Sequence, residues 1–342
     1  QQTGSGTEQL PGVIEEAQWN EVYRMASRHG ILGIIWDGIR NLSAESLIPR
    51  TLKLGWAYNT EIIGQRYDRQ KKTAIEMAEL LAREGISVLV FKGLSMSMYY
   101  PVPEHRECGD IDIWLFGQAE KGNRVAKAAG AKVEKENSKH DIIYFHGVPF
   151  ENHKELTSEL LNSRNRLINK DLITRVKDDR TQPLFATDTL RTPSRVFDEL
   201  YIPVHAAGHF VVEGISLRHL CDWALIVQAN GGFIDMALFD KLRLGQFVRL
   251  LNTLCHEWFG IEIPLESRHR NRQLAARIGA DILNYGSSPT TDSRWKLLQL
   301  KFRRFFTRKW CYPIVGGNFY LATIRSSIAH LKSPHDLFKG DH

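Results

Sequence analysis

Paired cysteines are missing from this 342-residue chain: Cys108, Cys221, Cys255 and Cys311 stand far apart, with no CxxC. That argues against a zinc ribbon, a thioredoxin-like redox site or a disulfide framework, and it fits a reducing cytoplasm. Long apolar runs are missing too. Even ISVLVF, residues 86–91, stops at Lys92, well short of the roughly 18–20 apolar residues that span a bilayer, so no membrane partner is expected. The sequence contains no GxGxxG, no GxxxxGK[ST] and no GxSxG, which removes support for dinucleotide-binding, P-loop and α/β-hydrolase readings. Internal repeats and low-complexity tracts are absent as well. The opening QQTGSGTEQL has neither a basic nor an apolar targeting region, and residues 1–16 read as a disordered leader.

What is present is the composition of a chain that buries its own core, with 43% hydrophobic, 25% charged and 10% aromatic residues. The net charge of +6 is unevenly placed: residues 291–342 carry ten Lys or Arg against three acids, so the rest is nearly neutral. That tail also holds Trp295, Phe302, Phe305, Phe306, Trp310 and Tyr312. Interleaved cations and aromatics suit nucleic-acid binding through phosphate contacts and stacking. They equally suit an amphipathic helix whose aromatics are core and whose cations are its wet face.

Periodicity divides the rest. Residues 17–85 read as helical, with Trp19, Val22, Tyr23 and Ala26 on one face and a proline-free stretch from Leu52 to Arg83 ending at Gly85. Residues 86–156 change texture to strand, short helix, turn, strand, helix, strand and a hairpin turning near Gly147. Residues 157–342 return to helices, expected at 157–169, 194–211, 215–229, 237–258, 270–284 and 293–309, with a loop over 177–193. The expected fold is α+β: a small mixed sheet domain flanked by helical segments.

The chemistry concentrates in FKGLSMSMYYPVPEHRECGDIDIWL, residues 91–115. Asp110 and Asp112 sit one residue apart in a strand, so alternation puts both on one face, about 6.6 Å apart along the backbone. Ile111, Ile113 and Leu115 point the other way, as core. Two such carboxylates repel unless a cation lies between them, and Mg²⁺ with substrate phosphates is a common solution. The plain alternative is a strand beginning at the solvent edge. Upstream, Lys92 and Gly93 open a short helix with Ser95 near its start, a candidate phosphate cradle. Downstream, FENHKEL places Glu151 and His153 on one strand face, with Glu151 as a third carboxylate. His153 could assist Glu151, although a hairpin histidine is more often simply exposed.

Taken in order, Lys92-Gly93, Tyr100-Pro101, Arg106 and Gly109-Asp110-Ile111-Asp112 resemble the uncharacterised nucleotidyltransferase family of the DNA polymerase β-like superfamily. The likeness runs over about residues 17–230. It implies that Asp110 and Asp112 bind one or two Mg²⁺ ions with an NTP, and that Glu151 completes the metal site or activates the acceptor. Lys92, Gly93, Ser95 and Arg106 would contact the nucleotide. The usual glycine-serine pair is here Gly93-Leu94. The implied activity is transfer of a nucleoside monophosphate to a hydroxyl of a small molecule, a protein or an RNA 3′ end, with pyrophosphate released. The alternative is a nucleotide-binding or regulatory module without turnover, binding RNA through its basic tail.

Two further patterns stand apart. His205 and His209 are four apart on an expected helix, able to share a metal or simply to be satisfied within the helix. Arg218 and Asp222 have the same spacing and suit either a helix ion pair or a cleft wall.

Overall fold

The computed structural model describes residues 15–42, 47–135, 140–157, 162–177, 181–286, 303 and 306–324. Residues 1–14 of the expected leader, and most of the basic tail with its expected helix at 293–309, lie outside the described residues; Glu15 and Glu16, expected in the leader, instead cap and open the first helix.

Three helices open the chain, α1 (Glu16–Arg28), α2 (Leu32–Asn41) and α3 (Arg50–Ala82). With Pro49 as N-cap and no proline until the far side of Gly85, α3 runs unbroken for 33 residues. Gly85 then takes φ +68, the left-handed conformation that lets the chain turn into the sheet. Next come β1 (Val88–Val90), α4 (Gly93–Met96), β2 (Ile111–Trp114), α5 (Ala119–Ala128), β3 (Lys132–Lys135), β4 (His140–Phe145) and β5 (Val148–His153). A tight turn at His146 and Gly147, both with positive φ, joins β4 to β5, so Phe145 pairs with Val148.

The C-terminal part contains α6 (Asn165–Val176), β6 (Gln182–Pro183), β7 (Leu190–Thr192), α7 (Arg195–Val212) and α8 (Leu217–Ala229). After these follow α9 (Met236–Lys241), α10 (Gly245–Phe259), α11 (Arg272–Leu283) and α12 (Cys311–Ile314). The sheet has seven strands in the order β3-β4-β5-β2-β1-β7-β6. It is mixed: β1 runs antiparallel to β2 and parallel to β7, while β2 runs parallel to β5.

Three expectations need correction. The expected loop over 177–193 supplies β6 and β7, which extend the sheet beyond β1; three residues of pairing are too few to read as alternation. The expected helix at 157–169 gives way to α6 starting at Asn165, because Asn162 is used as a tether, donating to the carbonyls of Leu242 and Val315. The single helix expected over 237–258 is broken at Arg243, which has φ +60. There Gly245 lies so close to the Asp240 carboxylate that any larger residue would collide.

Alternation along the central strands sends side chains to two different cores. Val88, Val90, Ile111, Ile113 and Leu115 pack with Met77, Ala78 and Leu81 of α3. Leu89, Phe91 and Trp114 face the other way and join Phe197, Tyr201 and Val204 of α7. The sheet is therefore covered on both faces, and the face toward α7 carries the polar residues described next.

Candidate active site

Parallel pairing of β2 with β5 places Asp112 directly opposite Glu151. Asp110, one residue before β2, lies close enough to Glu151 for the two carboxylates to repel. The three carboxylates named by the sequence thus converge on the α7 side of the sheet. One expectation about them fails: Asp112 does not lie on an open face but is only 5% exposed.

Its burial is compensated by cations. Lys92 Nζ lies 2.5 Å from Asp112 Oδ1, and His153 Nε2 lies 2.8 Å from the same oxygen. His153 also reaches Glu151 Oε2 at 3.2 Å, and His140 Nε2 lies 3.6 Å from Glu151 Oε1. Burial alone would push Lys92 down, but the charges of Asp112 and Glu151 and the hydrogen bond to Asp112 outweigh it and hold the ammonium well above its ordinary range. Burial would likewise raise Glu151. The hydrogen bond from His153 and the charges of Lys92 and His140 overcome that, keeping Glu151 an anion well below the usual carboxylate range. Asp110 behaves oppositely: burial first, then repulsion from Asp112 and Glu151, raises its carboxyl. His153 is raised despite burial and Lys92, because Asp112 and Glu151 both bond to it.

The backbone that delivers Lys92 is strained. It has φ +56, a conformation a lysine adopts only when its surroundings enforce it. They do so closely here: the Phe91 N–H bonds to the Asp112 carbonyl, and a Cβ on Gly93 would sit 2.5 Å from Cys108 Sγ. Cys108 Sγ bonds in turn to the Asp110 carbonyl, while the buried Gln70 of α3 donates to the carbonyls of Cys108 and Gly109. The aspartates are thus positioned from the long helix as well as from the sheet.

The other expected nucleotide contacts are already engaged. Ser95 Oγ bonds to Thr192 Oγ1 on β7 at 2.5 Å, tying the short α4 to the sheet edge. Arg106 is buried in a two-pronged pair with Asp222 of α8, at 2.6 and 3.1 Å, and the Tyr100 hydroxyl donates to the same carboxylate at 2.7 Å. Asp222 therefore does not pair with Arg218, whose Nη1 instead donates to the Glu107 carbonyl. That distant partnership displaces the i,i+4 pairing which spacing alone suggested.

Four residues at or beside the site escaped the sequence reading or were undervalued in it. His153 is buried, and its i,i+2 relation to Glu151 was the available signal. His140 is opposite His153 in the β4–β5 register, visible only once the hairpin is aligned. Tyr201 packs edge-on against Phe91, with centroids 5.3 Å apart, and stacks on His205 of the same helix. His219 of α8 joins His205 and His209 in a cluster no sequence spacing reveals. In the tail, Tyr312 is buried, and Trp310 packs edge-on against Phe210 with the Arg277 guanidinium over its ring.

Three carboxylates in one cluster offer the hard oxygen donors that Mg²⁺ prefers. Repulsion from Asp112 and Glu151 helps raise the Asp110 carboxyl, and a divalent cation among the three would relieve it. The residues present therefore fit a divalent ion.

A family model described as "Uncharacterised nucleotidyltransferase" matches residues 15–260. No curated protein matches the chain. Among solved structures, a crystal structure of ANT(2″)-Ia in complex with adenylyl-2″-tobramycin is similar at 11% identity, over 54% of this chain and 94% of that one. Its TM-score of 0.33 is too low to bear on the chemistry of this chain.

Proposed function

The chain belongs to the uncharacterised nucleotidyltransferase family, and from that premise we propose that it moves a nucleoside monophosphate from an Mg²⁺-bound NTP to a hydroxyl acceptor. The observation that carries this reading is the convergence of Asp110, Asp112 and Glu151 beside Lys92. In the proposed step the acceptor oxygen bonds to the α-phosphorus, the bond from that phosphorus to the bridging oxygen breaks, and pyrophosphate leaves. Bound Mg²⁺ would supply charge neutralisation along the triphosphate.

The protein's own residues divide the remaining work. Asp110, Asp112 and Glu151 are the oxygen ligands. Glu151, opposite Asp112 on the neighbouring strand, is the carboxylate that would orient the acceptor hydroxyl and receive its proton. Lys92 is the cation free to turn to a β- or γ-phosphate once Asp112 has another positive partner. Four free cysteines, three of them buried, are in keeping with a cytoplasmic setting.

A second reading, nucleotide binding without turnover, is favoured by one observation: Gly93-Leu94 stands where the usual pair is glycine-serine, and Ser95, one place later, bonds to Thr192. Calorimetric titration of the four NTPs, with and without Mg²⁺, into wild type and Asp110→Asn/Asp112→Asn separates these readings when paired with a labelled-product assay. Metal-dependent binding lost in the double variant, with product formed on some acceptor, supports transfer. Binding with no product across small-molecule, protein and RNA acceptors supports the module. No binding by the folded wild type defeats both.

A further inference from the structure

Helix α7 carries His205 and His209 one turn apart, and α8 begins two residues before His219. The short connection between these helices folds the third imidazole onto the first two. One ring nitrogen from each histidine lies within 4.8 Å of the others. Ring centroids are separated by 4.5 Å for His205–His209, 5.1 Å for His209–His219 and 5.8 Å for His205–His219. We propose that His205, His209 and His219 form a second metal site, distinct from the carboxylate cluster and selective for a divalent transition metal of the Zn²⁺ class.

The supporting groups have the chemistry such a site needs. His209 Nδ1 lies 2.5 Å from Glu213 Oε1, at the end of α7. A carboxylate on one ring nitrogen fixes the tautomer, makes the other nitrogen a better donor and adds negative charge beside the ion. His219 Nδ1 accepts from the Ser216 N–H at 3.1 Å and lies 3.0 Å from Ser216 Oγ, so Nε2 is the nitrogen offered to a metal; ligation there moves the ring proton to Nδ1, where Ser216 Oγ can accept it. His205 makes no hydrogen bond to protein among the described residues, so its ring is free to ligate; Tyr201 holds it by stacking, with centroids 5.8 Å apart.

Burial first, then surrounding cations, pushes His205 and His219 well below the ordinary histidine range, so both are in the form that ligates. Two of those cations are compensated, Lys92 by Asp112 and Arg106 by Asp222, whereas Arg218 donates to the Glu107 carbonyl. Tetrahedral ligation at about 2.0–2.1 Å places donor nitrogens about 3.3 Å apart, against the 4.8 Å within which one nitrogen of each ring already lies. Imidazole favours Zn²⁺, Cu²⁺ and Ni²⁺ over Mg²⁺, so the two sites separate by ligand hardness. Three protein nitrogens leave the fourth position to water or to an oxygen of a substrate entering beside Lys92.

The test uses the full chain, stripped with chelator and titrated with Co²⁺ and then Zn²⁺ alone. One equivalent of Co²⁺ should develop the visible absorption of four-coordinate nitrogen ligation, and Zn²⁺ should displace it. His209→Gln and His219→Gln, checked as folded by circular dichroism, should each weaken binding by 100-fold or more. Glu213→Gln should weaken it by about 10- to 100-fold. Asp110→Asn/Asp112→Asn should leave it intact, which keeps this proposal separate from the nucleotidyltransferase reading. His140, Glu151 and His153 form a competing group of potential ligands, so His153→Gln is the decisive control. The proposal is overturned if folded wild type takes up no stoichiometric metal, if uptake survives His205→Gln/His209→Gln, or if it is lost in His153→Gln instead.

Discussion

Asp112→Ala is the natural substitution for testing a metal ligand, and the structure predicts that it will mislead. Lys92 and His153 both bond to Asp112 Oδ1, with side chains only 12% and 10% exposed. Removing the carboxylate strands buried positive charge, a change that costs about 3–5 kcal/mol when one partner of a buried pair is deleted. At a urea slope of up to about 3 kcal/mol per molar, the midpoint should fall by about 1 M or more. Asp112→Asn keeps the shape and one accepting oxygen, so its loss should be smaller, about 1–3 kcal/mol. The distinguishing experiment is Lys92→Met added to Asp112→Ala. If the damage comes from a stranded ammonium, the double variant should be more stable than Asp112→Ala alone, measured by tryptophan fluorescence in urea. Asp112→Ala within about 0.5 kcal/mol of wild type, or a double variant that merely sums the two losses, would refute the reasoning. Loss of transfer in Asp112→Ala alone therefore says little about catalysis.

Asp110 makes a prediction of opposite sign. Burial, then repulsion from Asp112 and Glu151, raises its folded pKa to about 7 from the ordinary 3.8, so the folded state binds the extra proton and stability falls as pH rises between those values. Asp110→Asn should thus be more stable than wild type at pH 8 and indistinguishable near pH 3, by urea titration; equal midpoints at pH 8 would count against it. Arg106→Ala should cost about 3–5 kcal/mol by stranding Asp222, and Arg106→Lys should recover only part, since an ammonium cannot reproduce the two-pronged pair; full recovery by lysine would contradict this. Gly93→Ala should cost about 1–3 kcal/mol through collision with Cys108 Sγ, and Cys108→Ala in the same chain should restore much of it; no rescue in thermal melts would place the strain elsewhere.

Legibility in the sequence followed the range of the signal. Asp110, Asp112 and the reverse-facing Ile111 and Ile113 were readable because strand alternation is local, and the same rule put Glu151 and His153 on one face of β5. The burial of Asp112 was not readable, since the cover comes from α7, about 90 residues further along the chain. Arg106–Asp222 illustrates the same limit: a partner 116 residues away defeats a plausible i,i+4 neighbour, because a buried guanidinium needs a full counter-charge and Arg218 finds a carbonyl instead. The strands β6 and β7 were hidden for another reason, being too short to show a period of two.

These long-range partnerships bear on how the site would work. Asp112 already has two positive groups on one oxygen, and Glu151 has two histidines nearby, so the cluster is close to neutral before any metal enters. An incoming divalent ion must therefore displace a cation or a proton rather than fill a bare negative hole, which weakens affinity for the metal by itself. A nucleotide changes that balance. Its phosphates give the displaced Lys92 ammonium a new counter-charge, so metal and triphosphate should bind together far more tightly than either alone. Mg²⁺ titrated alone should give weak heats, while Mg²⁺ in the presence of NTP should bind strongly. Tight binding of Mg²⁺ alone to wild type would show that Lys92 is not the group being exchanged, and the role given to it would fall with that result.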